Sequence, residues 1–369
     1  MTGPRYTALV QTLPANVPFV GPEQQERARG AAFAARIGAN ENAFGPSPRA
    51  KAAMAAADIW KYGDPASHDL RLALARRMGV DPLNIVVGEG IDGLLGYLVR
   101  LLVVPGDVAV TSDGAYPTFN YHVAGYGGVL HKVPYCEDAE DLPALITRAR
   151  EVDAKLIYFA NPDNPMGSWC SGAAIEAALR DMPEGCLLLL DEAYVEFAPE
   201  GAAPEIAAED PRVIRMRTFS KAYGMAGARV GYAVGAAALI QSFDKIRNHF
   251  GMNRAAQAGA LAALDDQGWL RQVIADVGAA RVEIARIAEA CGLRALPSAT
   301  NFVTVDCGAD GDFARWVLAD LVGQGLFVRM PFVAPQDRCI RVGCGTQAEM
   351  ALFEAALPRA LAAARGDTP

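Results

Sequence analysis

The chain has 369 residues, 52% hydrophobic and 21% charged, with a formal net charge of −8. The apolar content excludes a disordered or low-complexity chain, and Arg100 interrupts the best bilayer-spanning candidate, Leu94–Val104, far short of the ~18–20 residues needed. The acidic balance, with no Lys/Arg block, gives no support for binding nucleic acid or an anionic membrane surface.

In chain order, Met1–Val10 lacks the apolar centre of a secretory signal, so a cytoplasmic protein is expected. Up to Ala39 the sequence is Pro-rich and irregular, with one short helix at Glu23–Arg29, and reads as an arm packing on another part. Ser47-Pro48 starts a helix leading into Arg49–Ile59. Ser67 is expected to cap a second helix that presents Leu70, Leu74 and Met78 on one face and ends at Gly79. A repeating pattern then begins. The short apolar runs Ile85–Val87, Val108–Val110, Val129–Val133, Leu156–Ala160, Cys186–Leu190, Val213–Met216 and Arg229–Val234 read as strands, most of them separated by helical patterns. Such near-continuous apolar strands imply an α/β fold in three layers, a mostly parallel sheet covered by helices on both faces. From Ala236 onward Ala-rich helices dominate. Strand-like Phe302–Val305, Leu326–Arg329 and Cys339–Val342 follow and predict a smaller α+β domain. The division expected is an arm over 1–40 packing on the small domain, a large domain over 41–253, and a small domain over 254–369. The seven cysteines are scattered without a C-x-x-C pair and read as reduced thiols, with no metal site expected.

Ligands of open α/β sheets sit beyond the carboxyl ends of the strands. The residues there are Gly88-Glu89-Gly90, Tyr116, Asn161–Asn164, Asp191, Tyr194 and Ser220-Lys221. Gly88–Gly93 satisfies G-x-G-x-x-G, and Asp113 follows about where a ribose-binding acid would stand. A nicotinamide- or flavin-dependent oxidoreductase and a plain tight turn are both open on this motif alone. Either way, N–H groups at a glycine-opened helix start suit a phosphate. Asp191 ends an apolar strand, and Lys221 sits at another strand end, followed by Gly224 and then Arg229. Singly they read as a turn residue, a surface lysine and a salt-bridge partner. Together they supply what pyridoxal phosphate requires: an amine for its aldehyde, an acid for its ring nitrogen, and an anion pocket.

These residues resemble the fold-type I pyridoxal-phosphate aminotransferases, with the histidinol-phosphate aminotransferase branch the nearest likeness. The motifs run through the chain: Asn40-Glu41-Asn42, Tyr62-Gly63-Asp64-Pro65, the turn at Gly88, Asn161-Pro162-Asp163-Asn164-Pro165, Asp191-Glu192-Ala193-Tyr194, Thr218-Phe219-Ser220-Lys221, Gly227–Tyr232 and Ile340–Gly343. The resemblance implies that Lys221 forms the Schiff base and moves the substrate proton, while Asp191 bonds the pyridine nitrogen. Asn164 and Tyr194 would bond the phenolic oxygen, and Tyr116 would cover the ring. Gly90, Ile91, Asp92, Ser220 and Arg229 would hold the phosphate. Tyr62 would reach the active site of the neighbouring subunit in a homodimer. Arg341 would bind the α-carboxylate and Arg329 a distal phosphate. Phe19 stands where the histidinol-phosphate enzymes often carry a tyrosine; Met166 and Ala43 also depart from the usual residues. An aromatic aminotransferase or a threonine-phosphate-type decarboxylase on the same scaffold therefore stays open.

Overall fold

Runs of five apolar residues between turns can be satisfied only inside a sheet covered on both sides, and the computed structural model has this arrangement. It describes residues 3–15 and 19–366; Val17 and Pro18, which precede Phe19, lie outside them. After a two-residue strand β1 (Ala35–Arg36), the chain lays down β2 (Ile85–Gly88), β3 (Val108–Ser112), β4 (Val129–Val133), β5 (Leu156–Ala160), β6 (Leu187–Asp191), β7 (Val213–Thr218) and β8 (Gly231–Val234). These last seven form one sheet in the order β2-β8-β7-β6-β5-β3-β4. From β7 to β4 neighbouring strands are parallel, whereas β8 is antiparallel to both β7 and β2.

Alternation along β5 and β6 divides the core. Tyr158 and Leu189 face the helix Gly90–Leu102 with Leu94, Leu95 and Leu98, while Ile157, Leu188 and Leu190 pack under Leu145 and Ile146. Each such leucine is removed from water almost completely, a stabilisation of about 1.5–3 kcal/mol apiece. The same alternation puts Asp191, two residues after Leu189, on the face of Tyr158.

Beyond the helices Arg254–Asp265 and Gln267–Ala290 come β9 (Arg294–Ala295), β10 (Phe302–Asp306), β11 (Leu326–Phe327) and β12 (Cys339–Gly343). β12, β10 and β9 form an antiparallel sheet, and β1 pairs in parallel with β11. Arg329 leaves β11 and makes an isolated antiparallel bridge to Arg341. Among the described residues no helix is long and apolar enough to cross a membrane.

Several local expectations shift. The helix opened by Ser47 and Pro48 ends at Ala55, before Ile59. Arg229 lies just outside β8, with φ 54. Ser67 does not cap the helix His68–Met78: its φ of 46 turns its hydroxyl away. The carboxylate of Asp64 does so instead, accepting from the N–H groups of Ala66 at 2.9 Å and His68 at 2.7 Å. Asp64→Ala should therefore cost about 1 kcal/mol in urea unfolding, against a few tenths for Ser67→Ala. Equal losses would return the cap to Ser67.

Candidate active site

The strand ends open into a cavity of about 360 Å³. Its floor is Asp191, the last residue of β6 and 5% exposed. Oδ2 accepts from the Tyr158 hydroxyl at 2.7 Å and Oδ1 from the Ala193 N–H at 2.9 Å. Both donors are neutral, and burial pushes the carboxyl up to about 6. The next residue behaves oppositely. Glu192 is also buried, but Arg217 at 2.7 Å and Arg215 at 2.8 Å outweigh the burial and hold it below the usual carboxylate range. Glu192 thus has its cations from the protein, whereas Asp191 faces a cavity that could admit one.

Lys221 projects into the same cavity from the loop after β7. Its Nζ donates to the Asn40 carbonyl at 3.2 Å and stands 5.5 Å from the centre of the Tyr194 ring. Asn40 has φ 56, a left-handed conformation that Asn tolerates better than most residues. Its Nδ2 donates to the Tyr194 hydroxyl at 2.9 Å, leaving that hydroxyl its own proton to donate.

One end of the cavity is built for an anion. The helix Gly90–Leu102 starts without a side-chain cap, so its first N–H groups are available. Gly90 has φ 76, and a Cβ there would run into the Arg229 guanidinium. Arg229 donates to Ser220 Oγ at 3.2 Å and to Asp92 at 3.1 Å, and Asp92 also accepts from the Tyr116 hydroxyl at 2.9 Å. The dinucleotide reading of Gly88–Gly93 fails on topology. β2 is an edge strand antiparallel to its partner, not the first strand of a parallel βαβ unit. Asp113 is ion-paired with Lys132 at 2.9 Å.

The opposite end carries two guanidinium groups. Arg341 donates to Asn164 Oδ1 and, at 3.2 Å, to the Gly38 carbonyl, while its buried Nε has no partner among the described residues. Burial, followed by the repulsion of Arg341, brings Arg329 down to about 10. Arg329 lies 3.9 Å from the centre of the Phe19 ring and donates to the Val20 carbonyl. Two cations side by side, one with an unfilled donor, ask for anions.

The family model for class I and II aminotransferases matches residues 35–357. Histidinol-phosphate aminotransferase 2 of Carboxydothermus hydrogenoformans is 32% identical, over 93% of this chain and 96% of its own. The histidinol-phosphate aminotransferase of an Anaeromyxobacter species is 34% identical, over 96% and 98% respectively. The chain belongs to the class I and II aminotransferases. Among solved structures, histidinol-phosphate aminotransferase from Sinorhizobium meliloti in complex with pyridoxal 5′-phosphate is 53% identical, with a TM-score of 0.95 over 98% of this chain and 99% of that one. A Thermus thermophilus aspartate aminotransferase mutant, 23% identical with a TM-score of 0.81, shares the fold.

All the sequence-predicted residues line this one aminotransferase cavity except Gly90, which opens the helix at its edge, and Tyr62. Tyr62 is 78% exposed and packs against Phe250 in a tilted pair, with ring centres 4.7 Å apart. Sequence reasoning missed Tyr158 and gave Asn40 no role. Tyr158 was findable: a tyrosine inside a fully apolar strand needs a partner for its hydroxyl, and strand parity points it to Asp191. Asn40 was not, because one of its contributions is a backbone carbonyl and the other a side-chain bond to Tyr194, 154 residues away in the chain.

The raised Asp191 carboxyl has a consequence for stability. A folded-state value near 6 against 3.8 unfolded makes the ionised group a penalty, absent below about pH 4 and complete above about pH 6. In the cofactor-free protein, Asp191→Asn should therefore raise stability at pH 8, by up to about 3 kcal/mol, with the gain vanishing near pH 4. Denaturant unfolding at the two pH values checks this; a gain independent of pH would contradict it.

Proposed function

We propose that this chain is a pyridoxal-phosphate-dependent aminotransferase that moves an amino group between glutamate and a phospho-keto compound, with histidinol phosphate the favoured substrate. The observation that carries the reading is the pair Asp191 and Glu192. One buried acid has two arginines, and its neighbour, on the cavity floor, has only neutral donors. A protonated pyridine ring fits that vacancy in charge, as the uncapped helix start with Ser220 and Arg229 fits a phosphate. When bound, the cofactor supplies an aldehyde carbon for the amine and a ring that withdraws electrons from the substrate Cα.

The residues divide the remaining work. Asp191 holds the ring-nitrogen proton, kept in line by Tyr158 and Ala193. Gly90, Ile91 and Asp92 offer backbone N–H groups to the phosphate together with Ser220 and Arg229, and Tyr116 covers the ring face. Tyr194 and the Nδ2 of Asn164 donate to the ring oxygen, since the Oδ1 of Asn164 is taken by Arg341. Lys221 would hold the group through its aldehyde carbon, and its amine would carry the proton at the substrate Cα. Arg341 takes the α-carboxylate through Nε and an Nη group, a bidentate geometry that arginine suits. Arg329, seated on Phe19, receives the distal phosphate. The histidinol-phosphate relatives support this substrate over an aromatic amino acid or a decarboxylation.

Tyr62 serves a second copy in this reading. Ile59, Trp60, Tyr62 and Phe250 are each more than half exposed, an apolar patch suited to a homodimer in which Tyr62 reaches the neighbouring phosphate. The arm over 1–40 and the segment 254–369 form the small domain that closes over substrate, with β1 on β11 as the joint.

Borohydride should fix the cofactor to the purified protein, and Lys221→Ala should abolish that fixation and turnover of histidinol phosphate by at least about a thousandfold. Fixation persisting in the variant would remove Lys221 from its role. Wild-type protein that turned over phenylalanine but not histidinol phosphate would overturn the substrate assignment.

A further inference from the structure

A second cavity, of about 200 Å³, shares no residue with the one at the strand ends. Strand parity puts it on the other face of the sheet. Met216 packs with Tyr158 beneath the helix Gly90–Leu102, so its neighbour Arg215 projects to the opposite side, in register with Val234. The walls are apolar: Met78 and Val80 around a helix end, Ile206 in the loop before β7, and Val234 at the end of β8. Two charged residues complete the lining, Arg215 and Glu205, and they are not paired with each other. Arg215 spends Nε and Nη2 on Glu192, at 3.1 and 2.8 Å. Its Nη1 has no partner among the described residues and is not enclosed by protein, so that edge remains for a ligand. Glu205 donates its backbone N–H to Glu176 at 2.7 Å, and its own carboxylate has no partner among the described residues.

A guanidinium edge and a carboxylate on one apolar wall match a molecule that carries both opposite charges beside an apolar group. A ligand with a single charge would satisfy one of them and be repelled by the other. We propose that this cavity binds a free α-amino acid with an aliphatic side chain. Its carboxylate meets Nη1 of Arg215, its ammonium meets Glu205, and its side chain lies among Met78, Val80, Ile206 and Val234. At about 200 Å³ the cavity falls below the roughly 300 Å³ at which pockets begin to hold drug-sized ligands, and it suits one such side chain. Apart from Glu205, no lining residue offers a nucleophile or a base, so the ligand is bound and not transformed.

The test titrates leucine calorimetrically, at neutral pH, into holoenzyme reduced with borohydride, which blocks the amine-accepting site. Leucine should bind once per chain. 3-Methylbutylamine, which lacks the carboxylate, should bind at least about tenfold weaker, and 4-methylpentanoate, which lacks the ammonium, about two- to fivefold weaker. Glu205→Gln should weaken leucine by about two- to fivefold and erase its advantage over 4-methylpentanoate. Ala208→Phe, which fills the cavity from its lining, should abolish binding, whereas Arg341→Gln should leave it unchanged. No leucine binding by about 10 mM would overturn the proposal. So would binding that survives both Ala208→Phe and Glu205→Gln, or binding lost in Arg341→Gln, which would return the ligand to the first cavity. 4-Methylpentanoate binding as tightly as leucine would overturn the assignment to an amino acid. Should Ala208→Phe fail to fold, Glu205→Gln and the two analogues decide by the same directions.

Discussion

The site depends on an ion with no ion of its own. Asp191 sits at the end of a fully buried strand and is held by a phenol and a backbone N–H, both neutral. Removing a carboxylate from water costs several kcal/mol unless a cation compensates it. The fold could supply one, as it does with two arginines for Glu192 a single residue later. Leaving Asp191 without a bonded cation, with only the more distant charge of Lys221 in its favour, is a local sacrifice of stability, and the rest of the cavity gives it purpose. In the proposed reading the anion cradle would fix one end of a flat ring, with Tyr116 and Tyr194 at its sides and Lys221 on the loop after β7.

Positive charge at the far end follows the same logic. Arg341 and Arg329 are joined by a backbone bridge, so their cations are forced together by the small domain's own strand geometry. Their repulsion is useful only if substrates bring negative charge. Asn164 and Gly38 hold Arg341 meanwhile, and the ring of Phe19 supports Arg329. A phenylalanine here gives the guanidinium a face to stack on rather than a hydroxyl to share.

Much of this was legible in the sequence. Apolar runs of five residues place the strands within a residue or two, since fully buried parallel strands tolerate little else. The strand-end rule then collects Asp191, Lys221 and the glycine turn at one edge. What escaped is long-range or backbone-borne. β1 is two residues long and exists only because β11 offers an edge. Ser67 looks like a cap until its left-handed conformation is known, and Asp64 does that work from three residues before. The glycine fingerprint misled because it records a phosphate-ready turn and not the direction of the neighbouring strands. Tyr158 shows the intermediate case, a polar tip in an apolar strand whose partner is readable once β5 and β6 are known to pair in register.

The charge state at Asp191 is the centre of the account, and the ring nitrogen above it reports that state directly. Holoenzyme prepared with nitrogen-15-labelled pyridoxal phosphate should show a protonated ring nitrogen whose resonance does not titrate between pH 6 and pH 9. In Asp191→Asn the same resonance should move to the unprotonated position across that range. A wild-type nitrogen that is unprotonated at neutral pH would contradict the pairing from which the rest is built.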